Sequence, residues 1–154
     1  MNLFFFLWSV LILITFLAAR QDAQTQTISN TLLFTGMLFA LFLHGIFQGA
    51  MSTLSLMASA LAWLFIGGVL WRMNGLGGGD VKLFAMIAVF TGFYGAFLIA
   101  LLSICVQFLW SLWRFSGGDM RLNRPFAPSI LIGTLALLVF QLVFLVKNFS
   151  PLLT

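Results

Sequence analysis

Gly77-Gly78-Gly79-Asp80-Val81-Lys82-Leu83 sets an ionisable carboxylate on a glycine-rich loop at the mouth of a strongly apolar run. An acid held at the edge of a hydrophobic segment is costly, and is kept where chemistry needs it. The chain has only three acidic residues, Asp22, Asp80 and Asp119, so any reaction that needs paired carboxylates must use two of these three. Two like-charged carboxyls in contact cannot both ionise cheaply and share a proton instead. Such a pair performs acid-base hydrolysis, one carboxylate activating water while the other protonates a carbonyl oxygen.

The rest of the composition says where that chemistry takes place. Of 154 residues, 62% are hydrophobic and 6% charged, and mean hydropathy is +1.15. Soluble domains carry about a quarter charged residues. The expectation is an all-α polytopic membrane bundle of about six segments, forming one membrane-embedded domain over residues 1–154 with the lipid bilayer as its surroundings. The net charge of +4 is spread over seven separate Lys and Arg, which are topology signals and not a nucleic-acid footprint; no nucleic-acid partner is expected. Cys105 is alone, which excludes an internal disulfide or a cysteine metal site; it reads as a small buried hydrophobe. No cofactor or metal is expected. A phosphate-binding reading of the glycine loop fails because Asp80 would repel a phosphate and no Lys-Ser/Thr ending follows.

Charge gaps delimit the spans. Leu3 to Ala19 lacks a basic leading segment and is too long for a signal core, so it reads as a retained first span. The 49 residues from Ala23 through Trp71 carry no charge, enough for two crossings with a turn near Gln48 to Thr53. These are expected at about 31–47 and 54–71. The uncharged run Leu83 to Trp113 has 31 residues; as one helix it measures roughly 46 Å against a hydrocarbon core of about 30 Å. With Arg20 and the 72–82 loop placed in the cytoplasm, one helix here leaves Arg114, Arg121 and Arg124 outside. A break at Gly92 to Gly95 returns all three to the cytoplasm, leaving only Lys147 outside. The positive-inside rule favours the break, which makes the fourth segment, Val81 to Thr91, a short half-span tucked among its neighbours. The last span is Phe126 to Val146. All three aspartates then lie at the cytoplasmic face.

In these residues the chain resembles the type IV prepilin peptidases, membrane-embedded aspartic proteases. Gly77-Gly78-Gly79-Asp80 fits their G-x-G-D motif, and Val81-Lys82-Leu83 fits its usual continuation. That family places its first catalytic aspartate after the first span, shortly before an Ile-Pro-Asn element. Here Asp22 is followed by Ile28-Ser29-Asn30, with serine in place of proline. Pro125-Phe126-Ala127-Pro128 is similar to the entrance of the family's last span, with Ala127 where glycine is common. The resemblance implies catalysis by Asp22 and Asp80, with Gly77, Gly78, Gly79 and Lys82 forming the motif loop that substrate approaches. It implies a bacterial inner-membrane enzyme whose site faces the cytoplasm and cuts the leader from a type IV prepilin just ahead of that substrate's hydrophobic helix. Without a cysteine-rich insert, the chain looks like the peptidase-only form, lacking N-methyltransferase activity, of tight-adherence (Flp) pilus systems. The alternatives are a non-enzymatic pilus-assembly subunit, which the two retained aspartates disfavour, or a small transporter, which would place polar groups near the midplane.

Other residues have plainer readings. Ser116-Gly117-Gly118-Asp119 echoes the motif, but continues into Asn123-Arg124-Pro125 and not into an apolar helix, so Asp119 reads as a loop acid. Lys82 serves first as a cytoplasmic anchor. His44, Gln48, Gln107 and Gln141 read as hydrogen-bonded helix-packing residues, Gly67 and Gly68 as points of close helix approach, and the nineteen phenylalanines as lipid-facing and core filler.

Overall fold

The computed structural model describes residues 3–73, 76–115 and 126–149. Asp119, Arg121, Arg124 and Pro125 lie outside the described residues. The described residues form five helices: α1 Leu3–Thr25, α2 Asn30–Gln48, α3 Ala50–Arg72, α4 Gly78–Phe115 and α5 Ala127–Phe149, all apolar enough to cross a membrane. Helices satisfy their own backbone polar groups, the condition for lying in hydrocarbon. Buried hydroxyls follow the same economy. Thr15 donates to the Leu11 carbonyl at 2.9 Å, Ser103 to Ile99 at 2.6 Å and Thr134 to Ile130 at 2.8 Å.

α4 is two helices in one. Gly92 has φ 75° and ψ 176°, a conformation essentially reserved for glycine, and it divides α4 into a first arm, 78–91, and a second arm, 93–115. Contacts with α5 give the direction of the second arm: Gln107 accepts a hydrogen bond from Ser129 (2.6 Å), and Gly133 lies against Ile99 and Ser103. Rising numbers on one helix meet falling numbers on the other, so the second arm and α5 are antiparallel. Because α5 begins beside Asp22, with Ala127 hydrogen-bonded to it, the second arm returns toward the end of the bundle from which the first arm set out. Gly95 makes this reversal possible: a Cβ there would stand 2.6 Å from Thr91 Cβ. The expected break within the uncharged run is therefore present, and the five helices make six membrane segments.

The first arm is the core of the molecule. From Leu83 to Phe90 every side chain is buried, and Ala85, Met86, Ile87 and Ala88 are wholly inaccessible. A helix apolar on all sides must be surrounded, and α2, α3 and α5 all pack against α4. Gly36 and Gly67 allow the neighbours in: a Cβ at Gly36 would come within 2.8 Å of Ile14, and one at Gly67 within 2.6 Å of Val81. Gly68 has no such neighbour, since its missing Cβ faces open space. The second arm is one-sided, burying Ala96, Ile99, Ala100 and Ser103 while exposing Phe97, Leu98, Leu101 and Ile104. Cys105 lies on the exposed side, contrary to the expectation of burial. The outer faces of the bundle carry Phe34, Phe42, Phe47, Phe65, Phe108 and Phe140, a surface suited to lipid.

Candidate active site

The end of α1 and the starts of α2, α4 and α5 meet at one end of the bundle, and both Asp22 and Asp80 are buried there. α1 runs past its apolar stretch to Thr25, so Asp22 sits on the last turns of a helix and not in the loop that follows it. Its Oδ2 accepts a hydrogen bond from the backbone N–H of Ala127 (3.1 Å). The side chain thereby caps α5 from another helix, satisfying one of the free N–H groups at its first turn. Ala127 itself is completely buried, which explains a small residue at this place.

Asp80 occupies the third position of α4. Gly77 precedes the helix, and its carbonyl accepts the first helical bond from Val81 N–H (3.2 Å). The Asp80 carboxylate folds back beside Gly77, on the side where the N3 acid of a capping box lies. The three glycines before Asp80 meet three different demands. A Cβ at Gly77 would stand 2.8 Å from Asp80 Oδ2, one at Gly78 would meet the Trp71 indole at 3.6 Å, and one at Gly79 would press on Ile28 at 3.3 Å. Asp22 is close enough to act electrostatically on Asp80. The structure thus brings together two carboxyls from distant parts of the sequence, Asp22 holding the Ala127 N–H and Asp80 turned toward Gly77.

The loop between α1 and α2 closes over this end. Gln26 ends α1 in a left-handed conformation (φ 53°), and Ser29 N–H donates to Gln21 Oε1 at 3.0 Å. Ile28 then packs on Gly79. Lys82 turns outward and donates to Asn30 Oδ1 (2.8 Å), tying α4 to the start of α2. Two supporting groups lay beyond sequence reasoning, the Ala127 amide and Gln21. A main-chain donor and a remote side-chain acceptor leave no local pattern. Below the carboxyls, Trp63 stacks on Phe84 at 5.5 Å, and Phe84 meets Phe126 at 6.3 Å, forming an aromatic floor. Among the described residues no cluster of His, Cys, Asp or Glu has the make-up of a metal site.

A family model described as the type IV leader peptidase family matches residues 9–112. The chain belongs to the type IV leader peptidase family. The match takes in Asp22, the α1–α2 loop, the glycine loop, Asp80 and most of both α4 arms, and ends before α5. The hydrogen bond from α5 to Asp22 therefore joins the matched part of this leader peptidase to the part that follows it. Neither a curated protein nor a solved structure gives a significant match to the chain.

Proposed function

We propose that the chain is an aspartic endopeptidase in which Asp22 and Asp80 form the catalytic pair, cleaving the leader from type IV prepilins of the Flp type at the cytoplasmic face of a bacterial inner membrane. The observation that carries this reading is the burial of both carboxyls at one end of the bundle, within electrostatic reach of each other. Two acids in such a place share one proton. The ionised carboxylate removes a proton from water, whose oxygen attacks the scissile carbonyl carbon. The protonated carboxyl gives its proton to the carbonyl oxygen, forming a tetrahedral diol. The diol then collapses: the C–N bond breaks, a proton passes to the leaving nitrogen, and the pair returns to its starting charge. Gly77, Gly78 and Gly79 form the loop that substrate approaches, Gly77 leaving room for the Asp80 carboxylate while Gly78 and Gly79 let Trp71 and Ile28 pack closely on the loop. Lys82 and Asn30 fix the entrance between α2 and α4. The substrate offers a basic leader on the cytoplasmic side and a hydrophobic helix within the bilayer, and the single cysteine and short loop between Asp22 and α2 support a peptidase-only reading of this region, without an N-methyltransferase insert there.

The test is co-expression with a prepilin, reading precursor and mature sizes while membrane levels are checked. Asp22→Asn and Asp80→Asn keep shape but cannot transfer the proton, and each should lower cleavage by roughly a thousandfold or more. Asp119→Asn should cleave normally. Full cleavage by Asp80→Asn would remove the aspartic mechanism, and loss in Asp119→Asn with retention in Asp22→Asn would make Asp119 the partner.

A further inference from the structure

Among the described residues, one hydrogen bond ties the Asp22 side chain to another helix, the 3.1 Å contact from the Ala127 N–H. The aim of Asp22 therefore depends on how the first turn of α5 is set. That turn has a single amide to give. Phe126 O already accepts from the N–H groups of Ser129 (3.0 Å) and Ile130 (3.3 Å), and Pro128 has no N–H. The Ala127 amide is left for a side chain, and Asp22 takes it. Apolar packing alone does not decide which way this amide points, because such contacts are non-directional. A turn of α5 by about 20° on its own axis, at a Cα radius of about 2.3 Å, carries the Ala127 backbone about 0.8 Å. That exceeds the spread of about 0.5 Å in N–H···O bond lengths.

Ser129 supplies the directional contact that this turn needs. Among the described residues, the buried hydroxyls of Thr15, Ser103 and Thr134 all donate to carbonyls of their own helix. Ser129 is the exception. Buried to 1% exposure, its Oγ donates to Gln107 Oε1 on the second arm of α4 at 2.6 Å. The cause is its position: the residue four places before Ser129 precedes α5, which starts at Ala127, so the usual back-bond within the helix is not on offer. The second arm is within reach because of Gly133, one turn further along α5, where a Cβ would stand 2.6 Å from Ser103 Oγ and 2.9 Å from Ile99 O. Gln107 lies one turn past Ser103, toward the carboxyl end. A bond that only joined two helices could lie on any turn; this one is two residues from the amide that Asp22 uses.

We propose that Gln107 and Ser129 are positioning residues for Asp22: their hydrogen bond fixes the rotation of α5 and so aims the Ala127 amide at the Asp22 carboxyl. This rests on the proposed catalytic reading of Asp22. The test uses the full chain in lipid nanodiscs with a purified prepilin. Gln107→Leu removes the acceptor and Ser129→Ala the donor. Each should lower kcat at least about tenfold with KM changed less than about twofold, since a misplaced carboxyl slows the reacting step. The double variant should be no slower than the slower single one, because either change breaks the same bond. Gln107→Glu keeps an acceptor at the same reach and should retain about half the rate or more. Ile99→Val trims a buried contact of the same arm and should lower the thermal midpoint with kcat unchanged, which separates misplacement from loosened packing. A readout independent of cleavage is amide hydrogen exchange at Ala127, which should quicken at least about tenfold in Gln107→Leu, as in Asp22→Ala. If Ser129→Ala fails to fold, the Gln107 variants decide. Normal kcat in Gln107→Leu, equal losses in Gln107→Glu or Ile99→Val, multiplied losses in the double variant, or Ala127 exchange that quickens in Asp22→Ala alone would overturn the proposal. Full cleavage by Asp22→Asn would instead overturn the catalytic reading, and the exchange result would still judge the link from Gln107 to Asp22.

Discussion

Gly67 on α3 is where the packing of the bundle can be converted into a measurable change at Asp80. A Cβ on Gly67 would lie 2.6 Å from Val81 Cγ1 and 3.2 Å from both Val81 Cβ and Cγ2, whereas ordinary contact begins at 3.4 Å. Val81 is β-branched and buried, so it cannot rotate away from all three contacts. The start of α4 must then move off α3 by roughly 0.8 Å or more, at an overpacking cost of about 1–3 kcal/mol. Asp80 is the neighbouring residue and moves with it, while Asp22 stays fixed to Ala127. A displacement near 1 Å between two groups that must act together lowers rate by about a hundredfold. Gly67→Ala should therefore cleave prepilin about a hundredfold more slowly at normal membrane levels. Adding Val81→Ala removes both Cγ atoms and should restore much of the rate, a coupling that a double-mutant cycle measures. Normal cleavage by Gly67→Ala, or strictly additive defects in the pair, would refute the geometric reasoning.

Three further outcomes follow from single positions. Gly77→Ala meets Asp80 Oδ2 at 2.8 Å and little else, so prepilin cleavage should fall at least about tenfold while the midpoint of thermal unfolding hardly changes; equal losses of both would point to a folding defect instead. Gly92→Ala clashes with nothing, its nearest neighbour being Leu56 at 4.0 Å, but its φ of 75° is strained for any side chain. Unfolding measurements in detergent should show a loss of about 1–3 kcal/mol, and unchanged stability would mean the hairpin does not need this conformation. In a Cys105→Ser background, Met51→Cys at the α2–α3 turn should react with an impermeant maleimide on intact cells, and Thr27→Cys only after lysis; the reverse pattern would invert the proposed orientation.

Features visible in the sequence were those with a local cause. Uncharged runs marked the spans because charge is expensive in hydrocarbon, and the positive-inside comparison located the reversal near Gly92 without any knowledge of packing. Asp80 was legible because its loop announces itself in consecutive glycines. Asp22 was less so, since its partner Ala127 lies more than a hundred residues away and contributes only a backbone amide. Which side of each helix faces inward was largely illegible. Lipid tails are as apolar as a protein core, so the outward-facing Cys105 and Gly68 look no different in sequence from the inward-facing Ala100 and Gly67. His44 failed differently: reading it as a satisfied packing residue assumed a partner, and the structure buries it without one among the described residues.

The short first arm has a structural consequence that ties the hairpin to the carboxyl pair. From Asp80 to the reversal at Gly92 is about 18 Å of helix, whereas α2 runs about 28 Å from the same end of the bundle to its turn at Gly49. The reversal therefore lies about 10 Å short of the opposite end, at a depth where unpaired backbone groups find no water. Two side chains meet that need: Trp63 Nε1 donates to Phe93 O at 3.4 Å, and Thr91 Oγ1 donates to Ile87 O at 2.9 Å with Gly92 O at 3.4 Å. Trp63 also stacks on Phe84 under the carboxyl end, so one indole supports both the turn of the hairpin and the floor of the site. A half-helix surrounded on all sides and pinned at its far turn has little freedom to tilt. That rigidity suits the proposed catalytic pair, in which Asp80 would have to keep its place relative to a partner carried by a different helix.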